Sequence, residues 1–367
     1  MGGRVDKDGQ HMTSDSVRLR TVLQQVAPGT PLREGLERIQ RSHTGALIVL
    51  GFTPEVEALC SGGFTLEVDF SPAQLRELAK MDGAVIIDTE TWHIRKANVQ
   101  LLPDSSIPTD ESGMRHRTAQ RMARQTNVPV LSLSASMRLI SIYVGQLHHT
   151  VEEPETLIAR ANQAVDTLER YTQRLDEVLA SLAVFEMREA VTVRDIATVV
   201  QRMEMIRRIT AEIDTYLSQL GDEGRLLSLQ VDDLLRGSTS ERAWVFRDYL
   251  SSAITLDEVE ERLSALSGDS MVDLAQIAQS MGIAIYDSAD LDRSIEPRGI
   301  RALAAIPRLP WRLIRQISDR WPTLTQLHEL SVEDLQQIDG IGRYRAHTIV
   351  EHLKQRKNAA SDSGVVF

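Results

Sequence analysis

The sequence predicts an α/β amino-terminal domain, a mixed sheet flanked by helices, followed by an all-α middle and a helical, basic carboxy-terminal module. Three observations predict it. Short runs of branched residues interleave with helical patterns up to about residue 150; proline is absent from 155 to 296; and the charge balance changes beyond 298. The length of 367 residues suits two or three domains.

Taken in order, residues 1–11 (MGGRVDKDGQH) read as an expression-tag remnant, with Met12 as the natural start. Within 12–150, Ala46–Leu50, Thr65–Asp69, Ala84–Ile87 and Ser141–Val144 are short, apolar and bounded by Gly, Pro or Asp, which predicts strands. Helix patterns lie between them, one opening at Ser71-Pro72 with a capping hydroxyl and a proline at the first turn. Over 151–297 the missing proline and the supply of Leu, Glu, Arg and Gln predict helices. Leu168, Tyr171, Leu175, Val178, Leu182 and Phe185 alternate spacings of three and four, laying one apolar packing stripe along a helix. Further helices are expected near 192–220, 241–253, 256–266 and 271–281, broken by Gly221, Gly224, Gly237 and Gly268. Residues 298–357 are again helical, and 358–367 read as a flexible tail.

The 41 basic and 52 acidic side chains give a formal charge of −11, which argues against coating nucleic acid along the whole length. The average conceals a division. Residues 298–357 hold eleven Lys and Arg against six Asp and Glu, a local +5 that leaves −16 for the rest. The single cysteine, Cys60, excludes an internal disulfide framework and a cysteine-built zinc site, so a soluble cytoplasmic protein with no membrane association is expected. No GxxxxGK[ST], GxGxxG, HExxH or GxSxG occurs, so any nucleotide chemistry uses another cradle.

Three clusters could carry chemistry. Asp82-Gly83 precedes the strand at Ala84 and is first of all a helix-end turn with a left-handed glycine. Functionally, the carboxylate could hold a metal ion or accept a hydroxyl proton, and Gly83 lets a ligand approach the backbone. Arg115-His116-Arg117-Thr118, led by Gly113-Met114, is either a solvated basic helix start or a polyphosphate cradle of free amides and guanidinium forks. Val130–Ser134 alternates so that Ser132 and Ser134 share one strand face, a half-polar strand before it is a ligand site. His148 and His149 lack a plausible metal partner set and read as surface or boundary residues.

Met81-Asp82-Gly83-Ala84-Val85-Ile86, Ala97–Pro103 and Gly113-Met114-Arg115-His116-Arg117-Thr118-Ala119 resemble the DGA and RHR motifs of the diadenylate cyclases. With the helical middle and the tail, the resemblance covers nearly all of the chain from Met12. It implies condensation of two ATP into cyclic di-AMP with release of two diphosphates, aided by Mg²⁺ or Mn²⁺, in octamers whose cyclase domains meet face to face. By the same resemblance Asp82 is the metal-associated carboxylate that helps activate the ribose 3′-hydroxyl, with Arg115, His116 and Arg117 completing the catalytic set. Gly83 and Leu101 contact the nucleotide, Met114 to Thr118 hold its phosphates, and Ser134 matches a phosphate-contacting serine. Met114 stands where family members usually carry Thr.

Ile338-Asp339-Gly340-Ile341-Gly342-Arg343-Tyr344-Arg345-Ala346 resembles a helix-hairpin-helix DNA-binding unit. Gly340 and Gly342 would let backbone amides reach a phosphate, and Arg343 and Arg345 add charge without reading bases. A plain helix–helix turn is the alternative, and the local +5 favours DNA. Ile306-Pro307-Arg308-Leu309-Pro310-Trp311 looks like a degenerate first hairpin with prolines in place of glycines. Two functions follow: a cyclase modulated by branched, Holliday-junction-like DNA at its tail, or a structural DNA-junction protein whose pocket only senses ATP.

Overall fold

The computed structural model describes residues 14–137, 139–250 and 254–362. The expected tag remnant (1–11), Met12, part of the helix expected over 241–253, and the end of the tail (363–367) lie outside the described residues. The described residues pack as two compact units, one of 14–165 with 212–230, the other of 166–211 with the described residues beyond 230.

In the first unit α1 (Ser14–Gln25) and α2 (Pro31–Arg41) precede β1 (Ala46–Leu50). There follow α3 (Pro54–Ala58), β2 (Cys60–Ser61), β3 (Phe64–Asp69), α4 (Pro72–Leu78), β4 (Ala84–Asp88), β5 (His93–Leu101) and α5 (Met114–Thr126), then β6 (Val130–Leu133), β7 (Ile140–Val144) and β8 (Leu147–Val151). A hydroxyl followed by proline starts three of these helices: Thr30, Thr53 and Ser71 accept from the amides of Arg33, Val56 and Gln74. The eight-stranded sheet runs β2-β5-β4-β1-β6-β7-β8, with β3 also beside β5. The β1–β4 pairing is parallel and the others are antiparallel, a mixed sheet as expected.

Helices cover both faces, so the central strands are buried throughout and read as continuous apolar runs. Strand alternation sorts them into two cores. Ala46, Ile48 and Leu50 pack with Leu32, Leu36 and Ile39 of α2, while Leu47 and Val49 pack with Ala119, Met122 and Ala123 of α5. The serine expectation is corrected here. β6 ends at Leu133, so Ser134 lies past the strand, and Ser132 is fully buried with no bonded partner for its hydroxyl among the described residues.

The helical region contains α6 (Pro154–Met187), α7 (Val193–Leu220), α8 (Arg225–Leu234), α9 (Ser238–Tyr249), α10 (Leu256–Ala265) and α11 (Leu274–Ser280). On α6, Leu168, Leu175 and Leu182 of the predicted stripe are buried. The helix expected over 271–281 starts later, because Asp273 caps α11 through the amide of Ala275 and leaves 270–272 as a short 3₁₀ turn. Beyond lie α12 (Ile300–Ala304), α13 (Trp311–Arg320), α14 (Leu324–His328), α15 (Val332–Gln336) and α16 (Arg343–Asp362) around one apolar cluster. α16 continues past 357 into the expected tail.

Candidate functional site

The site grows from an irregularity between β4 and β5. Their register shifts between the pairs Ala84–Val99 and Ile86–Lys96, and Asn98 in the bulge takes a left-handed φ of 56°. Gly83 is not left-handed, contrary to the turn reading of Asp82-Gly83. Its glycine is needed for a different reason: a Cβ there would collide with the backbone of Asn98. Gly63, between β2 and β3, meets the same bulge from another side, where a Cβ would strike the carbonyls of Ala97 and Asn98.

Facing this wall is the start of α5. Gly113 precedes it in extended conformation and offers no side-chain cap, which leaves first-turn amides free for an anion. Arg115 Nη2 lies 2.9 Å from Asp82 Oδ1, joining residues 33 apart in sequence. The Asp82 side chain is 94% exposed, so the pair contributes little to stability and opens readily.

Between wall and helix is a cavity of about 680 Å³. Of the predicted residues, Asp82, Gly83, Leu101, Met114, Arg115, Arg117 and Thr118 line it. His116 and Ser134 are not among its lining residues. Ser134 Oγ instead accepts from the Met137 amide and faces Ser136 Oγ at 3.3 Å. Asn98, from the quoted Ala97–Pro103 stretch, also lines it, as do Leu47, Ser61, Gly62, Gly63 and Arg121, which sequence reasoning missed, because strand pairing and the turn of α5 rather than any motif bring them there. The Arg117 and Arg121 guanidiniums are steadied by the carbonyls of Glu111 (2.7 Å) and Ile107 (2.9 Å). Met114 is 85% exposed, and its carbonyl accepts from the Thr118 hydroxyl at 3.0 Å.

Beneath α5 runs a polar chain. His116 Nδ1 lies 2.9 Å from the Tyr143 hydroxyl, which donates to Glu111 Oε1 at 2.9 Å, and the His148 ring stacks on Tyr143 with centroids 4.6 Å apart. Burial holds His116 below the usual imidazole pKa, against the opposing pull of Glu111. Burial and Glu111 together push the Tyr143 phenol up.

A second cavity, of about 780 Å³, lies in the other unit between two helix-joining turns. Gly340 is left-handed (φ 91°) in the turn before α16, and Arg345 Nη1 donates to its carbonyl at 2.6 Å. Gly342, Arg343 and Arg345 line the cavity with the exposed Tyr344. The turn between α12 and α13 repeats this geometry despite its prolines: Arg308 takes φ 61° where the other turn has Gly340. The left-handed residue follows a buried isoleucine by two positions in both turns, Ile306 and Ile338. The sequence reading of Ile306–Trp311 as a degenerate first hairpin therefore matches the backbone here, with Arg308 rather than a glycine at the left-handed position. Among the described residues no group of three or more His, Cys, Asp or Glu is placed to hold a metal ion, and no helix is long and apolar enough to cross a membrane.

Comparison with known proteins divides the chain into two consecutive stretches. Residues 33–147 match the family described as DisA bacterial checkpoint controller nucleotide-binding, and 151–289 match the DisA bacterial checkpoint controller linker region. The chain is 50% identical over 343 residues to the DNA integrity scanning protein DisA of Acidothermus cellulolyticus, covering 92% of this chain and 93% of that protein. It is 48% identical over 346 residues to the DisA of Kineococcus radiotolerans (94% and 96% covered) and 45% identical over 354 residues to that of Streptomyces avermitilis (95% and 94%). With a nucleotide-binding domain and a linker region matched, and relatives 45–50% identical over more than nine tenths of both chains, the chain belongs to the DisA bacterial checkpoint controller family.

Proposed function

We propose that the first unit is a diadenylate cyclase that condenses two ATP into cyclic di-AMP and two diphosphates, and that the two turns of the carboxy-terminal module bind branched DNA and modulate it. The observation that carries the reading is the meeting of Asp82 and Arg115 at 2.9 Å on the rim of a cavity of about 680 Å³, a size suited to one nucleotide. Family membership supports it.

In this reading the triphosphate lies over the first turn of α5, held by its free amides and by Arg115 and Arg117, with the ribose toward Asp82 and the glycine-lined wall. Arg115 leaves Asp82 for the phosphates as ATP arrives. The freed carboxylate then draws the proton from a 3′-hydroxyl. That oxygen forms a bond to the α-phosphorus of the facing nucleotide while the bond to the β-phosphate oxygen breaks, and diphosphate leaves with the electron pair. The same exchange in the other direction closes the ring. One carboxylate suits a divalent cation that arrives on substrate phosphates, since Mg²⁺ usually takes one or two carboxylates and completes its shell with phosphate and water. Asp82 would hold Mg²⁺ or Mn²⁺, whose charge offsets that developing on the phosphates. Each cavity takes one nucleotide, so cyclisation requires two copies to oppose their sites, as in a face-to-face octamer.

The test is incubation of the full chain with ATP and Mg²⁺ or Mn²⁺, followed by chromatography. Cyclic di-AMP and diphosphate in a 1:2 ratio are expected, and Asp82→Asn should lower the rate by about 10²–10⁴-fold while retaining ATP. Bound but unconverted ATP would select the sensing role instead, and an undiminished Asp82→Asn would remove the assigned base.

A further inference from the structure

We infer that Glu111 and Tyr143 are positioning residues that hold His116 as its Nδ1–H tautomer, so that the Nε2 edge is the one presented to the phosphates at the start of α5. The inference deepens the proposed nucleotide site and rests on that reading for its ligand.

Counting protons fixes the tautomer. Tyr143 is 1% exposed and has one hydroxyl proton, which it donates to the Glu111 carboxylate at 2.9 Å. A phenol whose proton is committed can only accept from His116, so Nδ1, 2.9 Å away, must carry hydrogen. Nε2 is then bare in the neutral ring. The edge that carries it lies beside Gly113 at the helix start, next to the cavity rather than in its lining, since a Cβ added at Gly113 would lie 3.4 Å from His116 Cδ2.

The groups around the ring set how it responds. Glu111, in the segment before α5, favours the imidazolium, while burial, His148 on β8 and Arg115 on α5 itself disfavour it; Tyr143 on β7 is the neutral relay. Before nucleotide binds, burial keeps the ring neutral near pH 7. A triphosphate brings negative charge to the Nε2 edge, and the ring takes up one proton there, becoming a donor to a phosphate oxygen. The new positive charge is countered at the other edge by Glu111 through the Tyr143 hydroxyl. Nucleotide binding is thereby coupled to proton uptake, a coupling that a purely structural Glu111–Tyr143 bond would not produce.

Imidazole ¹⁵N shifts of the ¹⁵N-histidine-labelled full chain, with His116 assigned by His116→Gln, read the tautomer directly and need no turnover. The wild type should show protonated Nδ1 and unprotonated Nε2 at pH 7.5. Tyr143→Phe should mix the tautomers and raise the KM for ATP roughly tenfold with a smaller change in kcat. Glu111→Gln keeps an acceptor for the phenol, so it should retain the tautomer but titrate His116 at a lower pH and abolish the proton uptake measured calorimetrically with ATP in buffers of different ionisation enthalpy. An Nε2–H tautomer in the wild type, or a Glu111→Gln chain whose His116 titrates as before, overturns the inference, and the second arm decides even if Tyr143→Phe does not fold. A wild type with the expected ¹⁵N pattern and no cyclic di-AMP would instead sink the proposed reaction and leave the tautomer standing.

Discussion

A methyl group at Gly83 would fall on the backbone of Asn98, and Asn98 is fixed in turn by the bulge in β5. Gly83→Ala should therefore push the two strands apart, lowering stability by about 1–3 kcal/mol and weakening ATP binding, as thermal melting and an ATP titration would show. Gly237→Ala is the control. Its Cβ meets open space outside the cavity lining, so only the strain of φ 90° remains, about 1 kcal/mol, with ATP affinity little changed. The pair of motifs around Asp82 and Arg115 was legible because each is contiguous. The reason for the glycine was not, because the colliding backbone lies fifteen positions downstream and arrives through strand pairing. Ser134 was misjudged for a related reason: alternation predicts a shared face only while the strand lasts, and β6 stops one residue short of it.

Helix starts show how far local chemistry carries. Ser71-Pro72 announces α4 within the sequence, and the cap forms as expected. The start of α12 has no such neighbour. Asp248, 52 positions before Ile300, accepts from the amides of Ile300 (2.6 Å) and Arg301 (2.8 Å), beside Glu186, which takes bonds from Arg301 and the Tyr249 hydroxyl. Burial, then the charge of Glu186, push the Asp248 carboxyl up to about 7 from 3.8. Because the folded value is the higher one, its stabilisation is complete below about pH 4 and is lost as the pH rises through about 7. Asp248→Asn should flatten that part of the stability profile, leaving unfolding midpoints at pH 4.5 and 8 closer together than in the wild type. Asp248→Ala, which strips both amides of their acceptor, should cost about 1–2 kcal/mol by denaturant unfolding at pH 6.

At the scale of the molecule the division of charge makes the DNA prediction quantitative. Retention of a four-way junction, followed by fluorescence anisotropy, should weaken steeply with salt, and Arg343→Ala should reduce the slope of log affinity against log salt by about one while leaving cyclase activity without DNA intact. A slope unchanged by Arg343→Ala would place the phosphate contacts elsewhere. The order of an α/β half before a helical half was legible in the proline distribution, since proline excludes itself from long helices whatever they pack against. Membership of 212–230 in the first unit was not, because which partner buries a helix depends on tertiary packing that periodicity does not encode.

That membership has a consequence for how the molecule comes apart. The chain passes from one unit to the other at 165, 211 and 230, and these points fall inside α6, α7 and α8. None is a loop, so a protease that needs an extended segment has no seam to cut there. Limited trypsinolysis of the native protein should trim termini and loops but release no separable halves until helix unwinding begins, and a chain shortened to end at 150 should be attacked faster than the same residues in the full protein.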